Sequence, residues 1–262
     1  MSKIFFDNSI ANKLKNKEKV SAAWAQLNSN ISAEIFAEAG FDVLVIDAEH
    51  SPTHLPSMIS MMQATKGTNC VPFVRAAWND AVMIKQILDI GAYGIHIPYV
   101  STKEEAEYAV KCCKYAPEGF RGVASSQRAV NYSLNKTDYY NRANTDIIIM
   151  VAIETPEGVD NIEDIISVKG VDGIFIGPSD LSASMGFLAN PSSLEVQQAI
   201  KKIETAVLKS DKFLSTIAPD FNSAKVLYDK GYSLVYMMSD TTALAKAASN
   251  TVNEFKQYLQ KR

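Results

Sequence analysis

The sequence predicts an α/β protein built as a (β/α)8 barrel, and three observations carry that prediction. Eight short apolar runs alternate with longer amphipathic ones along the chain. The runs are apolar on both faces, without clean period-two alternation, as parallel strands covered on both sides are. After the first run stands "QLNSN", with no glycine, so a doubly wound open sheet with a Gly-rich phosphate turn is only the second choice.

The predicted strands are "VSAAWAQ" (20–26), "DVLVI" (42–46), "VPFVR" (71–75), "YGIHIP" (93–98), "DIIIMVAIE" (146–154), "GIFIG" (173–177), "KFLSTIA" (212–218) and "SLVYMM" (233–238). Helical patterns fill the gaps. "ISAEIFAEAG" carries apolar Ile31, Ile35 and Phe36 and stops at Gly40. "DAVMIKQILDIG" starts from Asp80 as N-cap and stops at Gly91. "STKEEAEYAVKCCKY" opens on Ser101 or Thr102, with glutamates early and lysines late, as the helix dipole favours. "TPEGVDNIEDIIS", "SLEVQQAIKKIETAVLKS", "DFNSAKVLYDKG" and "TTALAKAASNTVNEFKQYLQKR" complete the set. One connection, 116–145, is long and rich in Tyr, Asn and Arg, and within it "KTDYYNRAN" predicts a short helix.

Composition bounds the function. The chain of 262 residues, 47% hydrophobic and 21% charged, is expected to form one barrel domain over 1–262 with a large core. A net charge of −3 gives no electrostatic footprint for nucleic acid or an anionic membrane surface. No apolar run approaches the roughly 18 residues that span a bilayer, and the first residues lack a secretory pattern, so a cytoplasmic protein is expected. Three cysteines, Cys70, Cys112 and Cys113, two of them adjacent, suit a reducing compartment and read as buried free thiols.

In a barrel of this kind the chemistry sits at the C-terminal ends of the strands. Those ends carry Trp24 and Gln26; Asp47, Glu49 and His50; Arg75; Glu154; and Gly177-Pro178-Ser179-Asp180. Asp80, Asp220, Ser239 and Asp240 precede helical patterns and read as caps. Trp78 reads as packing against a neighbouring helix, His96 as a core imidazole between Ile95 and Ile97, and His54 as a residue near a helix start. Glu154 and Asp180 end neighbouring strands, which lie about 4.8 Å apart, so their carboxylates can share a hard divalent cation. His50 is a candidate proton carrier, and Arg75 a clamp for a carboxylate or an oxyanion. No predicted strand ends in a lysine, and Lys212 starts one at the opposite face, which argues against Schiff-base chemistry.

The segments "AEAGFDVLVIDAEHSP", "VPFVRAAWNDAVMIKQILDIGAYGIHIPYVSTKEEAE", "PEGFRGV" and "IETPEGVDNIEDIISVKGVDGIFIGPSDLSASMG" resemble the signature segments of the HpcH/HpaI aldolase family. These are metal-dependent class II pyruvate aldolases of the phosphoenolpyruvate/pyruvate barrel superfamily, and the resemblance runs from about residue 12 to residue 250. It implies a TIM barrel that reversibly cleaves a 4-hydroxy-2-oxo acid of the 2-keto-3-deoxy sugar acid type to pyruvate and an aldehyde. It implies Glu154 and Asp180 as ligands of Mg2+, Mn2+ or Co2+, Arg75 at the enolate oxygen, and His50 in proton transfer, usually through water on the metal. Asp89 partners that imidazole in some members, while Asp47 is expected to orient His50 or a water, and Glu49 has no implied role. Gly177, Pro178 and Ser179 line the pyruvate carboxylate, with the Ser179 amide as donor. The resemblance further implies a homo-oligomer, a hexamer built as a trimer of dimers, with the C-terminal helix exchanged between subunits. Two positions depart from the pattern: Ala152 stands where many members have Gln, and Ala48 where they often have Gly or Met. The competing readings are another lyase of the superfamily, acting on an acyl-CoA 3-hydroxy acid or on oxaloacetate, and a non-catalytic metabolite-binding barrel.

Overall fold

The computed structural model of the chain describes residues 8–260. A short helix α1 (Ser9–Lys15) leads into β1 (Val20–Ala25). Then follow α2 (Asn30–Glu38), β2 (Val43–Asp47), α3 (Leu55–Ala64), β3 (Val71–Arg75), α4 (Ala81–Asp89), β4 (Gly94–Ile97) and α5 (Lys103–Cys113). The long connection contains a 3-10 turn (Arg128–Val130) and α6 (Lys136–Asp146), the helix expected there. The second half runs β5 (Ile148–Ile153), α7 (Pro156–Asp160), α8 (Ile162–Ile166), β6 (Gly173–Ile176), α9 (Pro178–Ser184), α10 (Leu194–Lys209), β7 (Phe213–Ile217), α11 (Phe221–Lys230), β8 (Leu234–Ser239) and α12 (Asp240–Gln260). All neighbouring strands pair in parallel and the sheet closes from β8 onto β1, with one register shift between Ala22 and Ala23. The eight predicted strands are all present, with bounds that differ from the prediction by no more than two residues.

The chain builds two apolar layers from one strand pattern. Alternate residues such as Val20, Ala22 and Trp24 on β1, or Ile148, Met150 and Ala152 on β5, fill the barrel interior. The residues between them, such as Ala23, Ala25, Ile149, Val151 and Ile153, pack against the helices. The sequence therefore reads as continuously apolar although its two faces meet different partners. Large and small residues interlock inside. A Cβ at Gly94 would stand 2.6 Å from the Phe73 ring of the adjacent strand, and one at Gly173 would stand 2.2 Å from the Phe213 ring.

The helix boundaries follow local chemistry. Thr102 caps α5 in a capping box with Glu105, and Asp80 and Asp220 cap α4 and α11 through backbone amides. Gly40, Gly91 and Gly231 turn the chain at positive φ after α2, α4 and α11. His54 is the N-cap of α3.

Four expectations change. Ile31 and Ile35 are exposed, and α2 packs through Ala33, Phe36 and Ala37, because residues four apart share a helix face and theirs is the one turned from the core. "TPEGVDNIEDIIS" forms two short helices that meet at Asn161, whose side chain donates to the Ser101 carbonyl. Gly177-Pro178 does more than turn the chain: it starts α9, with Pro178 in the first turn, where its missing N–H costs nothing. Asp240 and Ser239 are not ordinary caps. Asp240 is buried and accepts from the amides of Gln26 and Leu27 and the hydroxyl of Ser32, tying the start of α12 to the loop after β1. Beyond that anchor α12 leaves the barrel, with Leu244, Val252, Phe255 and Leu259 exposed.

Cys70, Cys112 and Cys113 are free and buried. Among the described residues no helix is long and apolar enough to cross a membrane. The interlocking of Gly173 with Phe213 has a measurable consequence. Gly173→Ala is expected to cost about 1–3 kcal/mol through overpacking, read as a lower urea midpoint, and pairing it with Phe213→Leu is expected to recover part of the loss.

Candidate active site

A cavity of about 1060 Å³ opens at the C-terminal ends of the strands, lined among others by Trp24, His50, Arg75, Glu154 and Asp180. A second cavity, of about 700 Å³, lies at the strand starts under the long connection. Its described lining includes no carboxylate and no imidazole. The residues able to do acid–base or cation chemistry are therefore gathered at the first.

The site grows from one cross-strand pair. Asp47 and Arg75 are register partners on β2 and β3, and both point inward at the last turn of the pleat. The guanidinium donates from Nε to Asp47 Oδ1 at 2.9 Å and from Nη2 to Oδ2 at 2.7 Å, a bidentate pair with both residues buried. Asp47 also accepts from Gln26 Nε2 at 3.0 Å and from the amides of Glu49 and His50 at 3.0 and 3.3 Å. Burial by itself would raise this carboxyl, but the bonds and charge of Arg75 outweigh it and hold the pKa at about 2. Arg75 in turn lies over the Trp24 ring, its Cζ 4.4 Å from the centroid. Gln26 Oε1 accepts from Ser239 at 2.8 Å, so a polar chain runs round the mouth from β8 through β1 and β2 to β3.

The floor beneath it is aromatic. Trp24, His96, Phe175 and Tyr236 come together with ring centroids 4.4 to 6.4 Å apart. His96 is fully buried, and burial together with the nearby Arg75 charge depresses its pKa well below the ordinary value. It is a neutral part of the floor, as its place between two isoleucines suggested.

The opposite wall is acidic. Glu154 follows β5 and stands beside Gly177, since Ile153 pairs with Ile176. A Cβ on residue 177 would lie 2.3 Å from Glu154 Oε1, so the glycine leaves the room that this carboxylate occupies. Glu154 is buried, and burial, joined by the charges of Asp180 and Glu49, raises its pKa to about 7 against the opposing Tyr99 amide. Glu49 is raised as well, first by burial, with Arg75 and His50 opposing. The negative charges near Glu154 give the electrostatic setting that favours a hard divalent cation. Among the described residues no three His, Cys, Asp or Glu side chains gather as a ready-made ligand cluster. The site offers Glu154 and Asp180, the pair that such a cation takes when waters and substrate complete its shell.

The family model for HpcH/HpaI aldolase/citrate lyase matches residues 21–247. The chain belongs to this family. Over 256 residues it is 40% identical to the 5-keto-4-deoxy-D-glucarate aldolase of Escherichia coli (strain K12 / DH10B), across 98% of this chain and all (100%) of that one. It superposes with a TM-score of 0.91 at 30% identity on an HpcH/HpaI aldolase/citrate lyase family protein from Burkholderia cenocepacia J2315, covering 95% of this chain and 100% of that one. An HpcH/HpaI aldolase from Desulfitobacterium hafniense DCB-2 gives a TM-score of 0.87 at 27% identity, over 94% and 95% of the two chains. The chain is accordingly a lyase of the aldolase type.

As a member of the HpcH/HpaI family the chain brings His50, Arg75, Glu154, Gly177, Pro178, Ser179 and Asp180 to one cavity. Asp47 serves differently from what the sequence suggested. Its side chain reaches the backbone of His50, not the imidazole, and its main partner is Arg75. The carboxylate beside the imidazole is Glu49, whose Oε1 lies 3.5 Å from His50 Nε2 and whose Oε2 lies 3.0 Å from Arg75 Nη1. The Arg75 contact is an ion pair without hydrogen-bond alignment, since Glu49 Oε2 has no hydrogen-bonding partner. Glu49 is the site residue that sequence reasoning left without a role; its only signal was the Asp-x-Glu-His spacing.

Asp89 is not brought to His50 within the chain. It ends α4, which runs antiparallel to the strands, so it lies at the strand-start end and accepts from buried Arg121 at 2.8 Å. Trp78 is 57% exposed and stacks on Tyr99. Ala152 faces the interior two residues below Glu154, and its small side chain is part of the inner apolar layer. One lysine does reach the cavity, Lys246 on α12, but it is exposed and lacks the desolvated setting that a Schiff-base lysine needs.

The Asp47–Arg75 pair sets a pH-dependent stability. Because the folded pKa of Asp47 is lowered from 3.8 to about 2, its contribution is complete above the unfolded value and fades as pH falls from about 4 to 2. Asp47→Asn is therefore expected to cost about 3–5 kcal/mol near neutrality, by leaving a buried guanidinium unpaired. Urea unfolding at a series of pH values should show the gap to the wild type closing near pH 2.

Proposed function

We propose that the enzyme reversibly cleaves a 4-hydroxy-2-oxo acid of the 2-keto-3-deoxy sugar acid type to pyruvate and an aldehyde. The carrying observation is the facing of two groups across one cavity: the acids Glu154 and Asp180, and the buried guanidinium of Arg75. The name of the Escherichia coli relative, a keto-deoxy sugar acid aldolase, supports the substrate class. A divalent cation held by Glu154 and Asp180, whether Mg2+, Mn2+ or Co2+, supplies Lewis-acid polarisation of a chelating 2-oxo acid.

The chain's own groups do the rest. Arg75, held by Asp47 and Glu49, presents fixed positive charge to the oxygen that becomes negative as the C3–C4 bond breaks. His50 accepts the proton of the 4-hydroxyl while that oxygen becomes the aldehyde carbonyl, and a proton delivered to C3 completes pyruvate. Glu49 keeps the imidazole turned toward the cavity. Ser179 lies in the first turn of α9, where backbone N–H groups have no intrahelical acceptor, and its amide serves the substrate carboxylate. The aromatic floor closes the barrel below the reacting atoms.

We infer further that the protein is a homo-oligomer in which α12 is covered by a second copy. The exposed Leu244, Val252, Phe255 and Leu259 support this, because a helix of that length has little stability without a packed face. Sedimentation equilibrium is expected to give a multiple of the chain mass, and truncation after Thr242 to lower it.

Pyruvate release from a 2-keto-3-deoxy sugar acid, coupled to lactate dehydrogenase, is expected to vanish after chelation by EDTA and to return with Mg2+, Mn2+ or Co2+. His50→Ala is expected to lower kcat about 100- to 10,000-fold with the fold intact. Turnover that survives thorough chelation overturns the cation-dependent reading. Turnover unchanged in His50→Ala overturns the proton role.

A further inference from the structure

The geometry points to Tyr99 as a positioning residue that clasps the two carboxylates, holding Glu154 with its backbone amide and Asp180 with its phenol. This inference rests on the cation-dependent reading above. Tyr99 follows β4 by two residues, a strand that contributes no polar side chain of its own to the cavity mouth. Its amide donates to Glu154 Oε2 at 3.1 Å, and its phenol donates to Asp180 Oδ1 at 3.4 Å. Glu154 and Asp180 follow β5 and β6, and among the described residues no other has a hydrogen bond to both.

The backbone is shaped for this. Tyr99 has φ +53°, a left-handed conformation that a bulky aromatic residue rarely adopts. Such backbone persists only where its surroundings over-determine it, and it concentrates at functional sites. Here the left-handed turn aims the amide at Glu154 and keeps the side chain on the same rim. The ring is held from the solvent side by Trp78, with ring centroids 5.7 Å apart and planes 30° from parallel. The Trp78 loop is fastened by Asn79, whose side-chain amide donates to the Glu105 carbonyl at 3.1 Å. An exposed tryptophan at this place has a function in the clasp that helix packing does not explain.

The clasp sets the two acids before the cation arrives. Each carboxylate engages Tyr99 through one oxygen, so the two are held relative to each other by a single residue. Partners of this kind hold ligands in place, and their loss typically weakens metal binding about 10- to 100-fold.

The decisive experiment is Mn2+ binding by isothermal titration calorimetry to the EDTA-stripped full chain, without substrate. Tyr99→Phe keeps the amide and the stacked ring and removes only the hydroxyl; its Kd for Mn2+ is expected to rise about tenfold. Trp78→Ala is expected to raise Kd as well, by less, through a freer ring. A wild-type Kd in Tyr99→Phe overturns the clasp while leaving the cation site intact. Absence of Mn2+ binding to the wild type, or wild-type binding by Glu154→Gln and Asp180→Asn, overturns the cation reading itself and the clasp with it.

Discussion

The buried bidentate pair between Asp47 and Arg75 is the constraint on which the mouth of the barrel depends. Two charges removed from water are costly, and their attraction compensates only when the geometry is good and the remaining lone pairs are used. Both conditions are met. The strands place the residues opposite each other, and the other acceptor sites of Asp47 take Gln26 and the amides of Glu49 and His50. The same bonds that satisfy Asp47 fold the loop after β2, and so determine where Glu49 and His50 stand. Stability and catalytic geometry here share one set of contacts.

From that pair the site divides into two electrostatic halves. Arg75 is fixed and always charged, backed by Trp24 below and by Asp47 and Glu49 beside it. Glu154 stands in an acidic half with Asp180, where burial and nearby negative charge raise the cost of ionising it. Under the proposed reading, Glu154 and Asp180 would hold a cation in the acidic half while Arg75 would meet a substrate oxyanion from the other. The neutral aromatic floor keeps the contrast sharp by excluding other charges from beneath it.

The strand-end logic of a barrel explains why so much of this was legible in advance. Residues at the ends of different strands become neighbours by closure of the sheet, so marking the polar residue after each apolar run located Glu154, Asp180, Arg75 and His50. What could not be read was which carboxylate serves which partner. Asp47 and Glu49 differ by two positions on one strand-to-loop junction, and the first turns inward to Arg75 while the second bridges Arg75 and the imidazole. Asp89 shows the opposite failure. Its segment resembles the family, but within the chain its helix carries it to the far end of the barrel, where Arg121 holds it.

By itself the sequence determined the eight strands, most helix stops and the polar residues that meet at one end of the barrel. These are local properties: apolar runs, capping residues, glycines at positive φ and ionisable groups at strand ends. Only the tertiary structure decided the pairings across strands, the exposure of Ile31, Ile35 and Trp78, and the place of Tyr99. The reason is physical. A hydrogen bond from residue 99 to residues 154 and 180 exists because β4, β5 and β6 are adjacent in a closed sheet, and no short-range pattern in the chain carries that adjacency.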